Sequence, residues 1–262
     1  SGGSATTSGT IGFTAVDGLQ AVSLGGHALT TTPTDLGGGL TASYSYNGTT
    51  GAGTISYSYT LPAATSGDAT TASFAVVVTD TDGDSAVPGN LVINIVDDVP
   101  VAVADTDSVA AGQFTAEQGN VVTGAGTTSG LAGADTKGAD GAAVTGLVAG
   151  TGAVTDGSGV GTSVQGQYGT LTINAAGDYS YVRDAGTPGG VSDVFSYLLK
   201  DGDGDGRTTT LTINIGDSTP TDQIPAAGGA TTTVYEAGLA AGSHSGGSAT
   251  TSGTIGFTAV DG

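Results

Sequence analysis

The chain has 262 residues, a formal net charge of −20, and no Cys, Met or Trp. Its only cationic residues are Lys137, Arg183, Lys200 and Arg207, too few to neutralise phosphates, which excludes nucleic acid and anionic membrane surfaces as partners. Without Cys there is no disulfide, and with only His27 and His244 there is no zinc-binding set.

Gly supplies 49 residues, and every acid except Glu117 and Glu236 is Asp. Asp favours caps, turns and hard-cation sites over helix interiors, so the composition predicts strands joined by acidic turns. Patterned β-branched and aromatic runs argue against disorder. The self-repulsion of so many carboxylates is then relieved by bound cations or by salt. No run is long and apolar enough for a membrane helix, and no signal peptide is visible, so no membrane insertion is expected.

In chain order, alternation predicts strands at 9–16, 41–46, 54–59, 73–78 and 91–96. The acidic turn Asp80-Thr-Asp82-Gly-Asp84 lies between the last two. Asp97, Asp98, Val99 and Pro100 follow, then Asp105 and Asp107. Residues 116–165 are rich in Gly and Ala and carry no clear pattern. Strands resume at 170–174, 178–182, 194–199 and 208–215, with Asp201-Gly-Asp203-Gly-Asp205 between the last two. Asp217, Pro220 and Asp222 come next, then TTTVYEAGL at 231–239, which reads as an opening strand and holds Glu236. No amphipathic helix is predicted.

Two repeats organise these elements. Residues 1–18 recur unchanged at 245–262, an offset of 244, as expected of a window cut from a longer array. Within that period Phe74 corresponds to Phe195, Asp80, Asp82 and Asp84 to Asp201, Asp203 and Asp205, and VINIVDDVP (92–100) to TINIGDSTP (212–220). The expected division is a domain at 1–99, a second at 100–219, and the start of the next repeat at 220–262. Pro100 and Pro220 stiffen short acidic linkers. Short strands at this density predict tandem immunoglobulin-like β-sandwiches. The domain at 1–99 is expected to lack its opening strand, whose counterpart is 231–239.

Three carboxylates at alternate positions around a Gly turn can converge on one cation, and calcium takes about 6–8 oxygens. The D-x-D-x-D-G run at 201–206 opens like an EF-hand loop. Its twelfth position is Thr212 rather than an acid and its flanks are strands, so an EF-hand is rejected. The competing reading of each turn is a plain acidic hairpin. A second candidate set is the linkers: Asp97, Asp98, Asp105 and Asp107 at the first, Asp217, Asp222 and Glu236 at the second. Their competing reading is solubilising charge.

The paired tyrosines Tyr44/Tyr46, Tyr57/Tyr59 and Tyr179/Tyr181 form either a sugar-binding strip or, the favoured reading, core packing. No regular short repeat spaces the threonine runs (30–32, 208–210 and 231–233), so they read as β-surface rather than an ice-binding face. No nucleophile, base and orienting acid stand in a recognisable order, so no enzyme is expected.

Val234-Tyr-Glu-Ala-Gly-Leu239, Gly253-Thr-Ile-Gly-Phe257 and TASFAVVVTDTDGDSA…LVINIVDDVP (71–100) together resemble the long repeat of type I secreted RTX adhesins of bacteria. ADTDSV (104–109), GADG (138–141), GTLTINAAGDYSYV (169–182) and DVFSYLLKDGDGDG (193–206) resemble the related VCBS-type repeat. The nonapeptide RTX β-roll is absent. The resemblance implies extracellular, calcium-stiffened extender domains of a giant cell-surface adhesin, whose partners are neighbouring repeats of the same chain. The alternative expectation is a subunit of a self-assembling filament, sheath or surface layer, in which an open sheet edge accepts the 231–239 strand of another copy. A sugar-binding module built on the tyrosines ranks third.

Overall fold

The computed structural model describes residues 4–65, 67, 69–243 and 248–261. His244 and the first three residues of each copy of the 18-residue repeat lie outside them. The chain is all-β, built as two compact units. The first comprises 1–99 with Gly138–Gly141 and Asp201–Asp205; the second comprises the rest. No helix among the described residues is long and apolar enough to cross a membrane.

Unit 1 carries β1 (Thr6–Thr14), β2 (Leu19–Leu24), β3 (His27–Ala28), β4 (Thr34–Asp35), β5 (Leu40–Asn47), β6 (Ala52–Thr60), β7 (Ala69–Asp80) and β8 (Gly89–Val96). They form two four-stranded antiparallel sheets, ordered β1-β6-β5-β4 and β3-β2-β7-β8. Alternate residues of both sheets meet in one core: Leu40, Ala42, Ile55 and Tyr59 from the first, Val22, Leu24 and Val78 from the second.

Unit 2 carries β9 (Asp105–Val109), β10 (Glu117–Asn120), β11 (Ala142–Ala149), β12 (Ser163–Gln165), β13 (Gly169–Ile173), β14 (Asp178–Arg183), β15 (Ser192–Asp201), β16 (Gly206–Ile215), β17 (Thr221–Gln223) and β18 (Gly256–Thr258). Its two main sheets are ordered β10-β14-β13-β12 and β11-β15-β16-β9. The opening strand β9 runs parallel to β16, with Leu211 opposite Asp105 and Ile215 opposite Val109. Leu171, Ile173, Tyr181, Phe195, Tyr197 and Ile213 fill the core between the sheets. Residues 116–165, which carry no alternation, hold β10, β11 and β12. These short strands are recruited by pairing and by tertiary contact rather than by local propensity.

Glycines inside the strands have a packing reason. A Cβ on Gly53 would fall 2.0 Å from the Phe13 ring, one on Gly9 2.5 Å from Tyr57, and one on Gly119 2.6 Å from Tyr179. Each glycine is the direct cross-strand partner of its aromatic, so the ring lies over bare backbone.

The segment 231–239 is not a strand. Glu236–Gly238 is a 3-10 turn, and the Tyr235 N–H donates to the Ser248 carbonyl. A strand exists only within a ladder, and this backbone meets no sheet edge here. β17 pairs instead with β18, whose residues belong to the second copy of the 18-residue repeat.

Candidate metal centre

The two Asp-rich turns share one backbone plan. In the first, the Asp80 N–H donates to the Asp84 carbonyl at 3.0 Å, and the Asp84 N–H donates to Asp80 Oδ1 at 2.9 Å. In the second, the Asp201 N–H donates to the Asp205 carbonyl at 2.9 Å, and the Asp205 N–H donates to Asp201 Oδ1 at 2.7 Å. Gly83 (φ +97°) and Gly204 (φ +121°) hold equivalent positions that an L side chain rarely adopts. The first Asp of each motif therefore organises the turn with one carboxylate oxygen. The second oxygen is left for another task.

The surroundings of that second oxygen differ. Asp80, Asp82 and Asp84 bring carboxylate oxygens within 4.8 Å of one another, but Asp82 and Asp84 are exposed. Asp80 is pushed above the ordinary carboxylate range, chiefly by its hydrogen bond with Asp82, and Asp82 is held below it by the same contact.

Within unit 1, Asp201 and Asp203 are joined by Asp97, which follows β8, again with oxygens within 4.8 Å of one another. Asp201 is 9% exposed. Asp97 Oδ2, Asp201 Oδ2 and Asp203 Oδ1 are all buried and meet no hydrogen-bond donor. The other oxygen of Asp203 accepts from the Gly67 N–H at 2.8 Å. That N–H, followed by the Asp201 carboxyl, lowers the pKa of Asp203. Asp140 rises by desolvation and then by the charges of Asp203, Asp97, Asp201 and Asp98. Two backbone carbonyls approach glycines of the same unit. The Asp98 oxygen lies 2.8 Å from where a Gly138 Cβ would stand, and the Asp140 oxygen 3.2 Å from a Gly202 Cβ.

Buried carboxylate oxygens without donors are costly. A shared proton relieves one contact; a cation relieves all three. The donor set is oxygen only, with negative charge and carbonyls nearby, which suits a hard ion such as Ca2+ rather than Zn2+.

The remaining sequence-derived candidates separate from this cluster. Asp98 is exposed and acts on it through its charge. Asp205 contributes its backbone to the turn. Asp105 and Asp107 do not join the linker set expected for them. The alternation of β9 turns them, with Val109, into the core of unit 2, where they are 0% and 2% exposed. There Asp107 Oδ2 accepts from Tyr179 at 2.5 Å, and Asp105 accepts from Ser129 and Tyr197 at 3.0 and 3.1 Å. Asp217, Asp222 and Glu236 are exposed and lie in no three-acid cluster among the described residues. His27 is exposed on β3.

The tyrosines form no exposed strip. Tyr59, Tyr179 and Tyr181 are buried, and half-buried Tyr46 stacks at 6.3 Å on Phe13 and donates to the Ala15 carbonyl. Sequence reasoning missed Asp140, whose signal was the GADG turn, and two further acids of unit 2, Asp135 and Asp193, which accept hydrogen bonds from the Tyr197 and Tyr181 hydroxyls.

No family model matches the chain, and no curated protein matches it. Among solved structures, PcdhgB3 EC1-4 aligns over 83% of this chain and 48% of its own, at 11% identity and TM-score 0.30. Protocadherin Gamma B2 extracellular cadherin domains 3-6 align over 84% and 54%, at 10% identity and TM-score 0.29. The D00-D0 domain of Intimin aligns over 78% and 92%, at 15% identity and TM-score 0.20. The chain thus spans about half the length of the two cadherin structures.

Proposed function

We propose that this chain is a calcium-binding structural segment of a large bacterial surface adhesin, in which tandem β-sandwich repeats act as an extracellular extender. The observation that carries the reading is the trio of buried, donor-less carboxylate oxygens on Asp97, Asp201 and Asp203. In a chain of net charge −20 without disulfides, a cation at this point ties position 97 to positions 201 and 203 and removes like-charge repulsion. The repeated 18-residue segment and the motif resemblance to RTX and VCBS repeats support tandem organisation, with neighbouring repeats as the first partners. Adhesion, biofilm attachment and type I secretion belong to this reading through that resemblance.

The test is thermal unfolding with millimolar Ca2+ and again with excess EDTA. An ion that binds only the folded state adds about 2.7 kcal/mol at a hundred times its dissociation constant. A clear rise in midpoint with Ca2+ is expected. Identical curves would remove the cation from the proposal and leave a plain acidic spacer.

A further inference from the structure

The chain carries six asparagines, and Asn47 alone is followed by glycine. It ends β5, and Asn47-Gly-Thr-Thr-Gly51 turns the chain into β6, with Asn47 opposite Ala52. Residues 47–50 are all exposed. In this turn the Asn47 side chain bends over the backbone that follows it. Its Oδ1 accepts from the Thr49 N–H at 2.9 Å and the Thr50 N–H at 3.3 Å. Asn120 and Asn174 hold their Oδ1 in the same way. Asn120 accepts from the Val122 and Thr123 N–H groups at 2.9 and 2.8 Å, and Asn174 from the Ala176 and Asp178 N–H groups at 2.9 and 3.0 Å.

The three differ at the amide nitrogen and at the next residue. Asn120 Nδ2 donates to Asp178 Oδ1 at 2.7 Å and to the Ala176 carbonyl at 3.2 Å, and Asn174 Nδ2 donates to Asp178 Oδ2 at 3.0 Å. Asn47 Nδ2 has no hydrogen-bond partner among the described residues, and neither has the Gly48 N–H. A Val side chain crowds the nitrogen after Asn120 and an Ala methyl the one after Asn174, whereas Gly48 leaves its own nitrogen open.

We infer that Asn47 is a self-modification site, at which the Gly48 nitrogen attacks Asn47 Cγ and closes a succinimide ring. Solvent base takes the Gly48 N–H proton, the N–Cγ bond forms, and negative charge develops on Oδ1. The Thr49 and Thr50 N–H groups already donate to that oxygen, as oxyanion-hole donors do. They also restrict the side chain to the stretch of backbone that holds the attacking nitrogen. Nδ2 then takes a proton from water and leaves as ammonia with the electron pair of its bond to Cγ. Water opens the ring. Addition at the side-chain carbonyl leaves aspartate; addition at the main-chain carbonyl leaves isoaspartate, with an extra methylene in the backbone. Nothing is oxidised or reduced. Either product adds a negative charge to the turn, and isoaspartate also disturbs the pairing of Asn47 with Ala52.

The test is peptide mapping by mass spectrometry of the full chain, held folded in mildly alkaline buffer and sampled over days. Fragmentation that separates aspartate from isoaspartate reads both products. The peptide with Asn47 should convert to a mixture of the two, while those with Asn120 and Asn174 keep their amides. Gly48→Ala should slow the conversion by about tenfold or more, because a methyl beside the nitrogen spoils its approach. That variant should fold as the parent does, since Gly48 has no left-handed φ and the nearest atom to the new methyl is Tyr46 Cε1 at 3.7 Å. A parallel sample in guanidinium gives the rate at Asn47 without the turn. A folded-state rate about tenfold or more below it means that the turn shields Asn47, and overturns the proposal. So do equal rates at Asn47, Asn120 and Asn174 in the folded chain, or a Gly48→Ala chain that converts as fast as the parent.

Discussion

The hydroxyl of Tyr197 lies 3.1 Å from Oδ2 of Asp105. It lies equally close to Oδ2 of Asp135, and 3.3 Å from the Val103 carbonyl. One hydroxyl hydrogen cannot serve three acceptors. The balance in the core of unit 2 is restored when a carboxyl keeps its proton. Desolvation accordingly pushes Asp105 up to about 7 and Asp135 up to about 6.

This sets a pH dependence with a definite sign. Unfolded, both groups ionise near 3.8; folded, they hold their protons to about 7 and about 6. Between those limits the folded state binds more protons, so stability falls as pH rises. In EDTA, the unfolding midpoint should be higher at pH 4.5 than at pH 7.5. Asp105→Asn, which supplies its own donor to the network, should flatten that slope. A midpoint that climbs steadily from acid to neutral pH would contradict the assignment.

The two Asp turns should respond differently to one isosteric change. Asp201→Asn puts an amide donor where buried oxygens face one another and removes a ligand charge. Its Ca2+-dependent rise in midpoint should largely vanish, while its stability in EDTA stays level or improves. Asp80→Asn acts on a turn whose other acids are exposed and should keep most of the Ca2+ effect. Calorimetric titration of both variants measures the difference.

Gly53 tests the aromatic-over-glycine arrangement. Gly53→Ala drives a methyl group into the Phe13 ring and displaces it from Tyr46. The expected cost is about 1–3 kcal/mol, the usual range for forced overpacking. Gly12→Ala, on the same sheet with nothing within 4 Å of the new methyl, should change stability far less. Urea unfolding of the two variants decides it.

Arg183 anchors a second buried pair. Its guanidinium lies 3.1 Å from Asp261 Oδ1 and 5.2 Å from the Phe114 ring centroid, with its side chain wholly buried. Hydrogen bonds from Ser218, then Arg183 and the Gly112 N–H, hold Asp261 down to about 2. Arg183→Met should lower the unfolding midpoint. With Ser218 and the Gly112 N–H still donating to Asp261, that carboxyl should stay below the ordinary range, so the loss should be read at neutral pH and persist on mild acidification.

Much of the architecture was legible, because period-2 alternation is a local signal. The runs at 54–59, 178–182 and 208–215 all lie in strands, and the Asp turns fall where the motif places them. Residues 142–149 were not legible, since Ala and Gly carry no contrast between faces. At the site, spacing pointed to Asp201 and Asp203 and the linker reading to Asp97. Buried oxygens without donors separate them from the rest. Asp105 and Asp107 share their composition with a calcium motif, yet two tyrosine hydroxyls, distant in sequence, claim them for the core. No spacing rule distinguishes a carboxylate awaiting a cation from one already paired with a phenol.

The identical 18-residue segments lie in unlike surroundings. Phe13 stacks within a sandwich, whereas its twin Phe257 is 80% exposed on a two-stranded ribbon. Asp17 is exposed at a turn, whereas its twin Asp261 sits against a buried guanidinium. One string of residues thus meets two sets of neighbours, and its conformation is decided by what flanks it. In the first copy the flank is β6, which pairs with it from Thr6 to Thr14; in the second it is β17.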